Sequence, residues 1–263
     1  MNNDFDAFGS STASKPPSTP QEQQYGPLLR AQPQRCTAGA GSRWIGQAWT
    51  LFKERPGLWI GMFLVLFLAL IVLSLIPGLS LLMNLGFGLF TAGFIVGAYE
   101  LDERRDLQFD HLFAGFKHNP GQLLLLGLLY FLGVIVICIP VLLFAFIGGG
   151  MSFLVHPEQG LTSGIVLLGI ALDLLLAAAL MIPLLMTVWF APALIALNNM
   201  PAVDAMKLSF KACWENIGAL TVFGLWFMLW WILAIIPLGL GLLVLFPVMY
   251  ISYYTAYREI FTV

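Results

Sequence analysis

The sequence predicts an all-α fold: a polytopic membrane protein of six transmembrane helices, arranged as three parallel hairpin repeats, each preceded by a cytoplasmic interfacial helix. Three observations carry this. Six long apolar stretches occupy most of residues 58–257. All 12 Lys and Arg residues fall outside them. A Phe-Lys pair leads into a long apolar stretch three times along the chain.

Composition sets the class. Of 263 residues, 59% are hydrophobic and 10% charged, where a soluble domain carries about a quarter charged residues. The hydrocarbon core of a bilayer is about 30 Å thick and takes about 20 helical residues to cross. Backbone groups in lipid must be satisfied within the segment, which favours helices. A β-barrel would alternate apolar and polar residues, and these stretches do not.

The elements follow in order. Residues 1–43 are rich in Ser, Pro, Gln and Gly, as in Lys15-Pro16-Pro17-Ser18-Thr19-Pro20-Gln21. Without an apolar period they cannot offset the entropy of ordering, so a disordered cytoplasmic tail is expected. Met1 to Ser14 lack the cation and apolar core of a cleavable signal. The six-span domain is expected over 44–263. Span 1 is Leu58–Ile76 and a turn at Pro77-Gly78 leads to span 2, Leu79–Tyr99. Span 3 is Gln122–Ile147, followed by an outer loop that begins at Gly148-Gly149-Gly150. Span 4 lies within Leu161–Leu197, too long for one untilted crossing and interrupted by Pro183 and Pro192. Span 5 is Ile217–Ile236, Pro237 marks a turn, and span 6 is Leu238–Tyr257.

An even number of crossings puts both termini on one side. The cations are Lys15, Arg30, Arg35, Arg43, Lys53, Arg55, Arg104, Arg105, Lys117, Lys207, Lys211 and Arg258. Threaded through six spans, all of them fall on one side, which the positive-inside rule makes the cytoplasm. The expected location is the bacterial inner membrane, multi-pass, with N- and C-termini cytoplasmic. Cys36, Cys138 and Cys213 have no paired spacing, so free thiols are expected rather than a disulfide or zinc site.

The repeats are expected at about 44–105, 107–200 and 202–260. Their marks are Phe52-Lys53, Phe116-Lys117 and Phe210-Lys211, each followed about 20 residues later by Ile-Pro at 76–77, 139–140 and 236–237. Units one and three end alike, in Ala98-Tyr99-Glu100 and Ala256-Tyr257-Arg258-Glu259. Two spans per unit keep the copies parallel, which implies an axis along the membrane normal. The segments before the spans are amphipathic. Trp44, Ile45, Ala48, Trp49 and Phe52 form one stripe; Phe109, Leu112, Phe113 and Phe116 form another. In the third, Val203, Met206, Phe210 and Trp214 face away from Asp204, Lys207, Lys211 and Glu215. Such helices either lie at the headgroups or pack as elbows on the span ends.

Several of these segments carry a family resemblance. They are Ala48-Trp49-Thr50-Leu51-Phe52 to Pro56-Gly57-Leu58-Trp59, His111-Leu112-Phe113-Ala114-Gly115-Phe116, Trp189-Phe190-Ala191-Pro192-Ala193-Leu194 and Tyr257-Arg258-Glu259-Ile260-Phe261. In these the chain resembles, over about 43–263, a family of uncharacterised six-pass bacterial inner-membrane proteins. A weaker similarity reaches the membrane domain that precedes some glycerophosphodiester phosphodiesterases; the soluble catalytic domain of those enzymes has no counterpart here. The resemblance implies a location and a fold, and no functional residues.

Chemistry is sparse. Asp173 is the one ionisable residue inside an expected span. A charged Asp at the bilayer centre costs about 2.5–3.5 kcal/mol on insertion scales, and such residues often mark ion paths. If span 4 ends near Leu197, Asp173 lies roughly 36 Å out at 1.5 Å per residue, at the outer interface; if the crossing is 163–185 it is at midplane. Asn84 and Tyr130 are the other candidate intramembrane polar residues. His111 and His118, seven apart, and His156 lack the i, i+4 spacing of helical metal ligands. Gly148-Gly149-Gly150 lacks the Lys-Ser/Thr of a phosphate loop. Gly93 and Gly97 form a small-xxx-small pair suited to close helix packing. Trp226, Trp230 and Trp231 form an aromatic cluster suited to packing or lipid contact.

The functional expectation is therefore a non-enzymatic lipid-interacting, scaffold or assembly protein. Lys53, Lys117, Lys207 and Lys211 are the candidate headgroup contacts. Expected partners are membrane lipids and, as a second class, other membrane proteins, with no nucleic acid. No cofactor or metal is expected. The alternative is a small-solute transporter or channel lined by Asn84, Tyr130 and Asp173.

Overall fold

The structure, a computed structural model, describes residues 25–75, 79–146 and 164–263. The turn expected at Pro77, the Gly148–Gly150 exit, His156 and the first 24 residues lie outside the described residues, as does the side chain of Asn84. Every regular element described is helical, apart from one isolated antiparallel bridge between Leu29 and Thr262.

The chain enters through α1 (Ala40–Glu54), which breaks at Arg55 in a non-helical conformation, φ −141° and ψ 56°. The cause is Pro56, whose ring drives the preceding residue out of the helical region and which then starts α2 (Pro56–Ser74) from its first turn. The chain returns through α3 (Leu79–Asp102). A 3-10 turn (Phe109–Phe113) and a single-turn α4 (Ala114–Lys117) follow. Asn119 is left-handed, with φ 56°, and Pro120 opens α5 (Pro120–Ala145). The return is α6 (Gly164–Val188), broken at Trp189-Phe190 and resumed as α7 (Ala191–Asn198). A left-handed Asn199 ends α7. Then come α8 (Ala202–Glu215), α9 (Ile217–Ile235) and α10 (Leu242–Phe261).

Four of these runs are long and apolar enough to cross a membrane: α2, α5, the run Leu167–Asn198 and α9. The long helix at span 4 passes through Pro183 without breaking and breaks only before Pro192. At span 6 the helix starts at Leu242, not Leu238. Leu238 and Gly239 adopt positive φ and form the turn instead.

The centre is built from the three returning helices. Residues 91–101 of α3 and 191–197 of α7 are buried on every side, and α10 buries most of 247–261. α3 packs on both α7 and α10. Phe190, just before α7, meets Phe261 of α10 edge-on at 5.4 Å. Phe94 stacks on Tyr250 at 4.6 Å, and Tyr99 meets Tyr254 at 6.3 Å. The outgoing helices α2, α5 and α9 lie outside this centre and leave much of their surface exposed.

The short helices sit on neighbouring hairpins, in sequence. The 3-10 turn and α4 pack on α3, and α8 packs on α6 and α7. α1 packs on α9 and α10. Gly93 and Gly115 interlock in the first of these contacts. A Cβ on Gly93 would lie 2.8 Å from the Leu112 carbonyl carbon, and one on Gly115 would lie 2.8 Å from the Leu89 backbone. The small residues thus bring helix and backbone together within the chain.

Two expectations are corrected, and α8 gains a facing that the sequence left open. The second amphipathic segment is not one helix but a 3-10 turn and one α-turn, and of its stripe only Leu112 is buried. In α8 the buried face is Ala202, Ala205, Ser209 and Ala212, while Trp214 is 64% exposed and Val203 46%. Small residues permit close approach to α6 and α7, so bulk is displaced outward. Finally, the free tail does not extend to residue 43. From Tyr25 the chain runs as an ordered strap, because distant backbone and amide groups satisfy its own.

Candidate functional site

The cationic end of the bundle holds a layer of polar ties beneath the strap. Three carboxylates follow one recipe: each accepts from an arginine and from an aromatic donor. Glu100 accepts from Arg105 Nη1 at 2.9 Å and from the Tyr25 hydroxyl. Asp102 accepts from Arg258 and from the Tyr254 hydroxyl, the latter at 2.7 Å. Glu259 accepts from Arg43 Nη2 at 2.7 Å and Trp44 Nε1 at 3.0 Å. Arg258 also donates to Gln47 Oε1 at 3.1 Å. A carboxylate this close to an apolar centre is tolerated because charge-assisted hydrogen bonds replace its water.

The strap crosses the ends of all three returning helices. Gly26 N donates to Leu197 O at 2.6 Å, and Asn198 Nδ2 donates to Pro27 O at 2.9 Å. Arg30 N donates to Phe261 O at 2.7 Å and Gln34 N to Ile260 O at 2.8 Å. Asn216 clamps the far end, accepting from Cys36 N at 2.7 Å and donating to Gln34 O at 3.0 Å. Gly26 is required at its contact, since a Cβ there would lie 2.5 Å from Leu197 Cβ. Asn198 also accepts from the Tyr257 hydroxyl.

Titratable groups here are quiet rather than activated. Burial, helped by Glu259, pushes the Cys36 thiol up to about 11, and burial pushes Cys213 up to about 12. Neither is a thiolate at neutral pH. Burial lowers His111 and His118 below the ordinary histidine value. His118 lies against the Tyr25 ring at 4.4 Å. No group of three or more His, Cys, Asp or Glu stands ready to hold a metal among the described residues.

The candidate polar residues of the spans are not brought together. Tyr130 lines an apolar cavity of ≈550 Å³ with Leu126, Gly127, Leu185 and Val188. Asp173 does not line it. Asp173 is the tenth residue of α6, half-buried, and its Oδ1 has no hydrogen-bond partner among the described residues.

Lys53, Lys117, Lys207 and Lys211 are all at the cationic end and exposed. Lys117 pairs with Asp110, and Lys207 with Asp204 at 3.7 Å. Lys53 and Lys211 make no ion pair among the described residues. Each short helix also turns aromatic bulk outward: Trp49 on α1, Phe109, Phe113 and Phe116 around α4, and Trp214 on α8.

A curated relative from Burkholderia thailandensis, named a probable inner membrane protein, is 30% identical over 260 residues. The match covers 86% of this chain and 93% of the relative. The chain belongs to that family. No family model matches, and no solved structure does. With its apolar helices, the family member described here is a multi-pass integral protein of the inner membrane. The resemblance to a bacterial inner-membrane family holds at this level.

The polar layer is what sequence reasoning missed. Its one legible trace is the shared Tyr-Glu and Tyr-Arg-Glu ends of α3 and α10. The partners themselves are far apart: Glu259 and Arg43 are 216 residues distant, and Asp102 and Arg258 are 156.

Proposed function

We propose that this protein is a six-span inner-membrane protein of three parallel repeats, with both termini cytoplasmic, and that it organises lipid or scaffolds a membrane complex without catalysing a reaction. α3 and α10 complete the span count. The cyclic packing of each short helix on a neighbouring hairpin supports a threefold plan. Membrane lipids are its direct partners, and other membrane proteins are a second class.

One observation carries the lipid reading. Three short helices, at the end where the cations gather, bury small or tightly packed faces and expose Trp49, Phe109, Phe113, Phe116 and Trp214. Aromatic bulk beside lysine is the pattern of a helix seated at the headgroups, with cations toward anionic lipid. The centre at that end is filled by Phe94, Tyr99, Tyr254 and Tyr257 and crossed by the strap, which disfavours a conduit there. In nanodiscs of graded phosphatidylglycerol content, wild type should enrich the anionic lipid around itself. Replacing Lys53, Lys117, Lys207 and Lys211 with Gln should abolish the enrichment; unchanged enrichment would reject the reading.

The transporter reading rests on Asp173 in an apolar helix, whose Oδ1 has no hydrogen-bond partner among the described residues. It requires that Asp173→Ala change solute uptake or conductance in proteoliposomes. Equal flux in wild type and variant removes Asp173 from any path.

A further inference from the structure

The hairpin α9–α10 is not closed along its length. At the turn the two helices touch, with the position of a Cβ on Gly241 only 2.6 Å from Ala234 Cα. At the cationic end α1 stands between them. Gly41 abuts the Ala219–Phe223 backbone of α9, and Thr255 of α10 donates to Trp44 O at 2.9 Å. The result is a groove of ≈510 Å³, lined at one end by α1 and almost wholly apolar. Gly46 and Trp49 line its α1 end, Trp226 and Trp230 one wall, and Val244 and Val248 the other.

Its dimensions select an occupant. From Trp226 to Pro237 the α9 wall is roughly 16 Å long at 1.5 Å per residue. That is about half of the ~30 Å hydrocarbon core, a length that one acyl chain spans. A transmembrane helix of a second copy, roughly 10–12 Å across, does not enter a cleft whose walls meet at one end. A single flexible chain does. The charge at the mouth matches an anionic headgroup: Ser42, Ile45, Gly46, Trp49 and Lys53 share one face of α1 by helical spacing. Lys53 is exposed and makes no ion pair among the described residues.

We propose that this groove is a binding site for one acyl chain of an anionic glycerophospholipid, entered from the cationic end, with Lys53 serving the phosphate. The inference deepens the lipid reading above by assigning it a discrete site. Lipid tails are as apolar as the groove walls, so the selectivity comes from shape and from the headgroup contact rather than from hydrophobicity alone.

Gly46 makes the site testable. A Cβ there meets nothing within 4 Å, so a larger side chain fills the groove without disturbing the backbone contacts. The full-length protein, purified in mild detergent, is titrated with palmitoyl-oleoyl phosphatidylglycerol or the matching phosphatidylcholine and read by native mass spectrometry. Wild type should hold one phosphatidylglycerol in preference. Gly46→Phe should weaken that retention about tenfold, as overpacking does in a filled site, with Gly46→Leu following in the same direction. Lys53→Gln should reduce the preference for phosphatidylglycerol about fivefold, the worth of one lysine near a charged surface. Unchanged melting temperatures in the Gly46 variants certify the fold.

Equal phosphatidylglycerol retention in a folded Gly46→Phe protein overturns the site. So does a dimer that Gly46→Phe dissociates, which would make the groove a contact between copies. A measurement free of variants stands beside these. Phosphatidylglycerol with a dibrominated acyl chain should quench wild-type tryptophan fluorescence more than brominated phosphatidylcholine does, and equal quenching also overturns the site. If Gly46→Phe changes nothing while a variant with Lys117, Lys207 and Lys211 replaced by Gln and Lys53 kept loses anionic lipid, the groove falls and the surface reading stands. The reverse result leaves the groove and removes the surface reading.

Discussion

At the cationic end, Trp44, Trp59, Phe94, Tyr254 and Tyr257 are fully buried and the carboxylates are paired. Toward the opposite end, Leu142, Leu143, Leu174, Leu175 and Ile236 face outward. Both regions are apolar, yet only one is a core. In lipid, a leucine gains little by turning inward, because the tails are as apolar as another leucine. What fixes the structure is close backbone approach, aromatic packing and hydrogen bonds, and these concentrate where the polar groups gather.

The sharpest way to break that contrast is to add the same atom at both kinds of place. Gly93→Ala combined with Gly115→Ala forces a Cβ into the Leu112 and Leu89 backbones. It should cost about 3 kcal/mol, at the upper end of overpacking effects. Gly224→Ala in α9 meets nothing within 4 Å and should stabilise by up to about 1 kcal/mol through helix propensity. Thermal unfolding in one detergent compares them. Equal losses at the two places would mean that the outer helices are as tightly specified as the inner ones.

A smaller effect probes the polar ties. Asp102→Ala leaves Arg258 and the Tyr254 hydroxyl without their shared acceptor. It should cost about 2 kcal/mol, in the range for hydrogen bonds to charged groups. The double-mutant cycle with Tyr254→Phe should show coupling; strict additivity would mean that the Asp102–Tyr254 contact contributes nothing.

The smallest effect is a pH dependence of the strap. Burial lowers the His118 pKa in the folded protein below its ordinary value of 6.5. Glu100 opposes that shift, and Lys117 and His111 add to it. Because the unfolded state then binds the proton more readily, stability is level above about pH 6.5 and declines as pH falls through that value toward the folded pKa. Melting curves between pH 8 and pH 5 should show the decline in wild type and a weaker one in His118→Gln, which retains the similarly lowered His111. Identical curves would place the sensitivity elsewhere.

Much of this was legible in the sequence. Uninterrupted apolar runs gave the long helices, although two of them start at Pro56 and Pro120, two residues before the expected Leu58 and Gln122. The facing of α8 was not legible, because in a membrane protein the bulky stripe of Val203 and Trp214 carries no instruction to turn inward. The small residues Ala205, Ser209 and Ala212 held that information instead. The strap was also hidden. Its composition is that of a tail, and what orders it is Asn216, Asn198 and the backbone of 260–262, none of which is local. Tyr130 was read as a polar candidate and lines a cavity, but its proposed companion Asp173 lies apart from that cavity.

The strap also sets an order of assembly. Leu29 pairs with Thr262, and Arg30 and Gln34 bond to Phe261 and Ile260. A ribosome adding about 5–20 residues per second makes the first partner long before the last. The contacts of Leu29, Arg30 and Gln34 with 260–262 must therefore wait roughly ten seconds or more while the helices before them are delivered to the bilayer. Only a chain whose last helix has been inserted beside the others can fasten its own beginning. In the newborn protein, a closed strap is a record that α10 is in place.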